Sequence, residues 1–176
     1  VIILNKAVFL DRDGVINRYD SPVNKPEDLE LYPWTAKAIK SLNEKEYKVF
    51  IVTNQGGIEC GYFTETDLNE IHQHLLATLK KEAAHIDDIE YCPHFNSDCK
   101  CRKPEAGMIL KLAKKYDINL ENSFMVGDRN SDIEAGNKAG CRTIKLGSKY
   151  PAADYSVENL EDAVEIIVNA QELIYI

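Results

Sequence analysis

Short apolar runs that each stop at a polar cluster, set between longer stretches of helical periodicity, constrain this chain more than any other feature. Ala7-Val8-Phe9-Leu10 ends at Asp11-Arg12-Asp13-Gly14, and Val49-Phe50-Ile51-Val52 ends at Thr53-Asn54-Gln55-Gly56-Gly57. Phe124-Met125-Val126 is closed by Gly127-Asp128, and Thr143-Ile144-Lys145-Leu146 forms another run. Ile86 to Tyr91 is a weaker example that leads into a cysteine-rich stretch. Continuous apolar runs of this length suit strands buried on both faces.

The intervening stretches read as helices. Ala36, Ala38, Ile39 and Leu42 make one apolar face between Thr35 and Lys45. Thr64, followed by Asp67, resembles a capping box that opens a helix carrying Leu68, Ile71, Leu75, Leu76 and Leu79. Met108, Leu110, Leu112 and Ala113 suggest a helix that runs out near Tyr116. A short helix from about Ser131 stops at Gly140, and Asn159 onward is a final amphipathic helix. Strands alternating with helices predict an α/β fold, a single Rossmann-like domain over 1–176 with a central parallel sheet and helices on both faces. In such sheets ligands bind beyond the carboxyl ends of the strands. Asp11 and Asp13, Thr53 and Asn54, and Asp128 are therefore expected at one crevice.

Bulk properties narrow the field. The 176 residues are 44% hydrophobic and 28% charged, ordinary for a soluble globular protein long enough to bury a core. A net charge of −8 argues against a nucleic-acid footprint, which needs a basic face. Val1-Ile2-Ile3-Leu4 is too short for a signal-peptide core or a membrane span, so no membrane partner and a cytoplasmic setting are expected; a monomer is the expected state.

Asp11-Arg12-Asp13-Gly14 puts two carboxylates two residues apart at a strand terminus, where alternate side chains share a direction. On its own this could be a solvated turn. Joined in order by Thr53-Asn54, Lys103, and Gly127-Asp128 with Asp132, it resembles the four motifs of the haloacid dehalogenase superfamily of phosphatases. The resemblance covers essentially the whole chain. It implies that Asp11 attacks phosphorus and that Asp13 serves as general acid and base. It implies Mg²⁺ held by Asp11, Asp128 and the backbone carbonyl of Asp13, and a phosphoryl group met by Lys103, the Thr53 hydroxyl and the Asn54 amide. Asp132 is expected to orient Lys103 or the metal's waters.

Cys92-Pro93-His94 and Cys99-Lys100-Cys101 supply three thiolates and an imidazole, a complete tetrahedral set for structural Zn²⁺. Five cysteines in a chain expected in a reducing compartment favour metal over disulfide; Cys141 reads as a small buried hydrophobe. The loop runs directly into Arg102-Lys103-Pro104, so zinc would anchor the backbone that aims the lysine. A zinc loop ending this way is similar to the heptose bisphosphate phosphatases, with histidinol-phosphate phosphatases as neighbours. That similarity implies removal of the C7 phosphate from a doubly phosphorylated heptose, a precursor of a bacterial surface glycan. Cys60 stands where that group has an arginine. No large cap domain fits in this length; the residues after Asp13 and the segment Gly56 to Thr64 are expected to form small covering loops. Arg102 and Arg129 are candidates for the rest of a sugar phosphate. His72 and His74, two apart on a helix, do not share a face, and His85 is placed near that helix's end. A histidinol-phosphate phosphatase is the enzymatic alternative. An idle, zinc-stabilised binding module is the alternative of another class.

Overall fold

A computed structural model describes residues 4–172; Val1, Ile2, Ile3 and residues 173–176 of the expected domain lie outside the described residues. Six strands form one sheet: β1 (Ala7–Leu10), β2 (Lys48–Asn54), β3 (Asp88–Cys92), β4 (Phe124–Gly127), β5 (Arg142–Leu146) and β6 (Tyr155–Val157). Their order is β3-β2-β1-β4-β5-β6, and every pairing is parallel. The helices are α1 (Thr35–Glu44), α2 (Glu65–Lys81), α3 (Gly107–Lys115), α4 (Asn130–Ala139) and α5 (Leu160–Glu172).

The four residues of β1 are fully buried because the strand is covered on both sides. Val8 and Leu10 enter one core with Ile39 and Leu42 of α1, Leu75 and Leu79 of α2, and Leu160 and Ile167 of α5. Ala7 and Phe9 enter the other, with Met108 and Leu112 of α3 and Ala135 of α4. Two-residue alternation along a strand thus feeds two helical layers.

Differences from the sequence reading are local. β3 runs from Asp88 to Cys92, two residues later at its start than the apolar signal suggested, so the first cysteine is part of the strand. β6 left no signal because it has only three residues, one of them exposed. Thr64 and Asp67 close the expected capping box: Asp67 N donates to Thr64 Oγ1 at 3.1 Å and Thr64 N to Asp67 Oδ2 at 2.7 Å. α4 begins at Asn130 and ends on Gly140, whose φ of 89° is the left-handed cap a side chain would disfavour. Among the described residues no helix is long and apolar enough to cross a membrane.

Sheet order reverses between β1 and β4, and chain leaving one goes to the opposite side from chain leaving the other. That divergence opens a crevice at their carboxyl ends. Asp11 and Asp128 are the residues that follow these two strands.

Candidate active site

Asp11 extends the β1–β4 pairing by one bond, its N donating to Val126 O at 3.1 Å, so its buried carboxylate points out of the sheet end from a fixed backbone. The Lys103 ammonium lies against it. Lys103 Nζ is 2.8 Å from Asp11 Oδ1, 2.7 Å from Asp132 Oδ1, and 2.8 Å from Val52 O, to which it donates. Three acceptors match the three N–H bonds of an ammonium, which is what a lysine buried to 4% exposure needs. Its backbone is held as firmly. Asn54 Nδ2 donates to Lys103 O and Lys103 N donates to Asn54 Oδ1, both at 3.0 Å.

Asp132 is saturated by protein: Oδ1 faces Lys103 and Oδ2 accepts from Arg129 N at 3.0 Å at the start of α4. Asp128 is the opposite case. Its Oδ1 is buried and has no hydrogen-bond partner. Gly14, at φ +85°, passes so close that a β-carbon would collide with the Asp128 carboxylate. Glycine is therefore required there for space as well as for conformation.

The electrostatics describe a site short of positive charge. Burial, opposed by Lys103 and reinforced by Asp132, raises the Asp11 carboxyl to about 7. Burial and then Asp132 raise Asp128 as well. Burial alone would lower the Lys103 ammonium, but Asp11 and Asp132 hold it above its ordinary value. Oxygens of Asp11, Asp128 and Asp132 lie within 4.8 Å of one another. An orphaned carboxylate oxygen and raised carboxyls around hard oxygen donors fit a small divalent cation. Asp11 and Asp128 have oxygens to offer it, whereas both Asp132 oxygens are already engaged.

The Asp13 carboxylate is held by a different set of partners. Arg12 Nε and Nη2 donate to it at 2.9–3.0 Å, Asn17 Nδ2 at 3.0 Å and Gln55 Nε2 at 3.0 Å. Gln55 also donates to Thr53 Oγ1 at 2.8 Å, which leaves the Thr53 O–H free to donate elsewhere. A recess of about 60 Å³ is lined by Asp11, Asp13, Thr53, Asn54, Lys103 and Arg129, among others. It shares Asp13, Asn54 and Arg129 with a larger cleft of about 230 Å³. That cleft's walls include Tyr19, Tyr62, Phe95 and Arg102, together with Cys60. Both expected covering segments therefore line it. Arg102 Nη1 donates to His94 O at 2.7 Å, and Arg129 lies 5.8 Å from the Tyr19 ring centre.

Beside the cleft, Cys92, His94, Cys99 and Cys101 converge. Cys92 Sγ is 3.3 Å from His94 Nδ1, 3.6 Å from Cys99 Sγ and 2.8 Å from Cys101 Sγ. Cys101 Sγ is 3.4 Å from His94 Nδ1 and 3.5 Å from Cys99 Sγ. Ligand atoms around a tetrahedral zinc, with Zn–S bonds of about 2.3 Å, sit about 3.7 Å apart. The Cys92 and Cys101 sulfurs are closer than that spacing; all four ligand atoms lie within 4.8 Å of one another, and three thiolates with one imidazole make up a full tetrahedral donor set that fits zinc.

A family model described as "HAD-hyrolase-like" matches residues 100–163. The D-glycero-beta-D-manno-heptose-1,7-bisphosphate 7-phosphatase of Rhodopseudomonas palustris is 44% identical over 142 residues, covering 76% of this chain and 79% of that one. Its Helicobacter pylori counterpart is 42% identical over 169 residues, covering 93% and 98%. The crystal structure of the D,D-heptose 1,7-bisphosphate phosphatase from B. bronchiseptica, complexed with magnesium and phosphate, superposes with a TM-score of 0.86 at 31% identity. It covers 94% of this chain and 99% of that one. The chain belongs to the heptose-1,7-bisphosphate 7-phosphatase family of HAD-like hydrolases. It is an enzyme, a phosphatase.

Within that family's fold, every residue singled out from the sequence at the crevice or in the zinc loop occurs at one of two adjoining places. Asp11, Asp13, Thr53, Asn54, Lys103, Arg129 and Asp132 line the recess, with Asp128 against Gly14. Sequence reasoning missed Arg12, Asn17, Gln55 and His72. Arg12 sits inside the Asp-Arg-Asp string at a buried strand end, and that position was the one readable signal. His72, to which its spacing from His74 assigns no role, is 6% exposed, with Nε2 3.3 Å from Arg12 Nη1. His85 lies beyond the end of α2, which stops at Lys81; it pairs with Asp87 at 3.5 Å. Cys141 is buried and Cys60 exposed.

Proposed function

We propose that this phosphatase removes the C7 phosphate of D-glycero-D-manno-heptose 1,7-bisphosphate and leaves the C1 phosphate in place. The observation that carries the reading is the Lys103 ammonium held between Asp11 and Asp132 at the floor of a recess that opens into a cleft bearing Arg102 and Arg129. One phosphate fits the recess, and the rest of a charged sugar fits the cleft.

Asp11 is the nucleophile, attacking phosphorus to form an aspartyl phosphate. Lys103 stabilises the transferring phosphoryl group as a point charge, while the Thr53 O–H and the Asn54 amide donate to its oxygens. Asp13 protonates the leaving alcohol and later takes a proton from the hydrolytic water. Asp132 aims Lys103. When bound through Asp11, Asp128 and the Asp13 backbone carbonyl, Mg²⁺ supplies neutralisation of phosphate charge. Zinc held by Cys92, His94, Cys99 and Cys101 fixes the loop at 92–101. Residues 1–176 act as one phosphatase domain, a monomer in the cytoplasm, where thiols remain reduced, serving a surface-glycan precursor route.

The test is a steady-state panel of both anomers of the heptose bisphosphate, other sugar phosphates and histidinol phosphate, ranked by kcat/KM. Phosphorus NMR of the product identifies the ester that is lost. Retention of the C7 ester, or a preference for histidinol phosphate, overturns the substrate. Asp11→Asn, folded by circular dichroism, is expected to lose nearly all turnover; retention of more than about a tenth, a loss under ~1.4 kcal/mol, removes Asp11 as nucleophile.

A further inference from the structure

Arg12 is the largest fully buried side chain of the described residues, with 1% exposure. A buried guanidinium has to have its N–H groups answered. Nε and Nη2 go to Asp13, and Nη1 goes to His72 Nε2 at 3.3 Å. Arginine only donates, so His72 Nε2 accepts and the proton of the neutral ring is on Nδ1. Burial and then the Arg12 charge hold the imidazole neutral, far below its ordinary pKa. His72 comes from the second turn of α2, a helix packed on the sheet through Leu75 and Leu79. It is thus a rigid post behind Arg12.

We propose that His72 is a positioning residue for Asp13, acting through Arg12, so that the general acid starts each cycle from one fixed place. The inference rests on the reading of Asp13 as the acid. In the structure both Asp13 oxygens are occupied by nitrogen donors from Arg12, Asn17 and Gln55. To reach a leaving-group oxygen the carboxyl group must turn out of that rack. Asn17 and Gln55 are neutral amides whose nitrogens also donate to Arg18 O and Thr53 Oγ1; Arg12 is the charge. If Arg12 is anchored from behind, Asp13 can leave and return to a fixed guanidinium. Without the anchor, Nη1 is left unanswered in a buried setting, and the guanidinium must tilt toward Asp13 and hold it.

General-acid help matters most when the leaving group is poor, and that separates positioning from structure. The experiment measures kcat on para-nitrophenyl and para-methoxyphenyl phosphates, which are similar in size and differ in leaving-group acidity. Wild type is compared with His72→Leu, His72→Gln and Asp13→Asn, all with saturating Mg²⁺. The ratio of the two rates on one sample does not depend on the folded fraction. His72→Leu is expected to lose about tenfold or more on the methoxy ester and less than about threefold on the nitro ester. His72→Gln, which restores an acceptor to Arg12, is expected to bring the ratio within about threefold of wild type. Should His72→Leu not fold, His72→Asn, whose shorter side chain withdraws the acceptor, replaces it under the same criterion. Equal losses on both esters in a folded His72 variant, or no loss, overturn the proposal while a selective Asp13→Asn leaves the reading of Asp13 standing. Equal losses in Asp13→Asn overturn that reading, and this inference with it.

Discussion

Lys103 shows how a charged residue can be buried in a protein of this size: three acceptors meet its three N–H bonds, and two of them are carboxylates. The consequence is an excess of negative charge around Asp11 and Asp128. Asp11 has a folded-state pKa raised from about 4 to about 7, so the fold opposes its ionisation. The sign follows directly. The metal-free protein bears no penalty from this group below about pH 4, loses stability as the pH rises from about 4 to about 7, and bears the full penalty above. Lys103 stays protonated throughout that window and does not alter the trend. A dication reverses the penalty because it requires the ionised carboxylate. Apparent Mg²⁺ affinity is therefore expected to fall about tenfold per pH unit below 7, which is ~1.4 kcal/mol of ligand-linked stability per unit. Thermal melts with and without Mg²⁺ at pH 5.5 and pH 8 measure this, with a larger upward shift expected at pH 8. Equal shifts at the two pH values would mean that Asp11 does not hold the metal.

The helix α2 carries a second pH-sensitive group. His72 is buried and pushed down to about 3 by desolvation, with Arg12 adding to the effect. The unfolded chain takes up a proton near pH 6.5 and the folded protein does not, so acid favours unfolding. The loss begins as pH falls through about 6.5 and amounts to about 2 kcal/mol at pH 5. Urea denaturation of wild type and His72→Gln across this range is expected to show the slope reduced by close to one proton in the variant. An unchanged slope would contradict the buried neutral imidazole. This helix also marks how far sequence reading reaches. Its apolar face and its Thr64–Asp67 cap were legible because both are local patterns. The role of His72 was not, because only the packing of α2 against the end of β1 brings Arg12 to it. The same holds for Asn54, recognisable at a strand end although its side-chain grip on Lys103 depends on a loop 49 residues away. Strand ends, and hence Asp11, Thr53 and Asp128, could be found from apolar runs alone. β6 and the hydrogen-bond partners that hold Lys103 and Asp13 could not.

Across the whole molecule, the cysteine loop and the crevice are mechanically one unit. Gln55 N donates to Cys92 O at 2.8 Å, and Glu59 N to Pro93 O at 3.3 Å. The Glu59 carboxylate accepts from the Phe95 and Asn96 amides, which tie the covering segment to the loop a second time. Arg102 then reaches back to His94 O, and Lys103 follows it into the recess. A closed four-ligand zinc of the kind proposed for these donors could not activate water, so its removal would leave the proposed Asp11 chemistry available. What its removal would release is the path from Cys92 to Pro104 together with the wall of the cleft. Lys103 is separately anchored by Asn54, Asp11 and Asp132, so it is better protected than Arg102, whose recorded hydrogen bond is to the loop itself. Misplacing a binding group by about an ångström can cost on the order of a hundredfold in rate. Cys99→Ser is therefore expected to lose on the order of a hundredfold in kcat/KM on the heptose bisphosphate, and only a few-fold on para-nitrophenyl phosphate. Zinc content by mass spectrometry and folding by circular dichroism accompany the kinetics. A zinc-free wild-type protein purified under reducing conditions would contradict this account, as would a folded, zinc-free variant slowed by the same factor on both substrates.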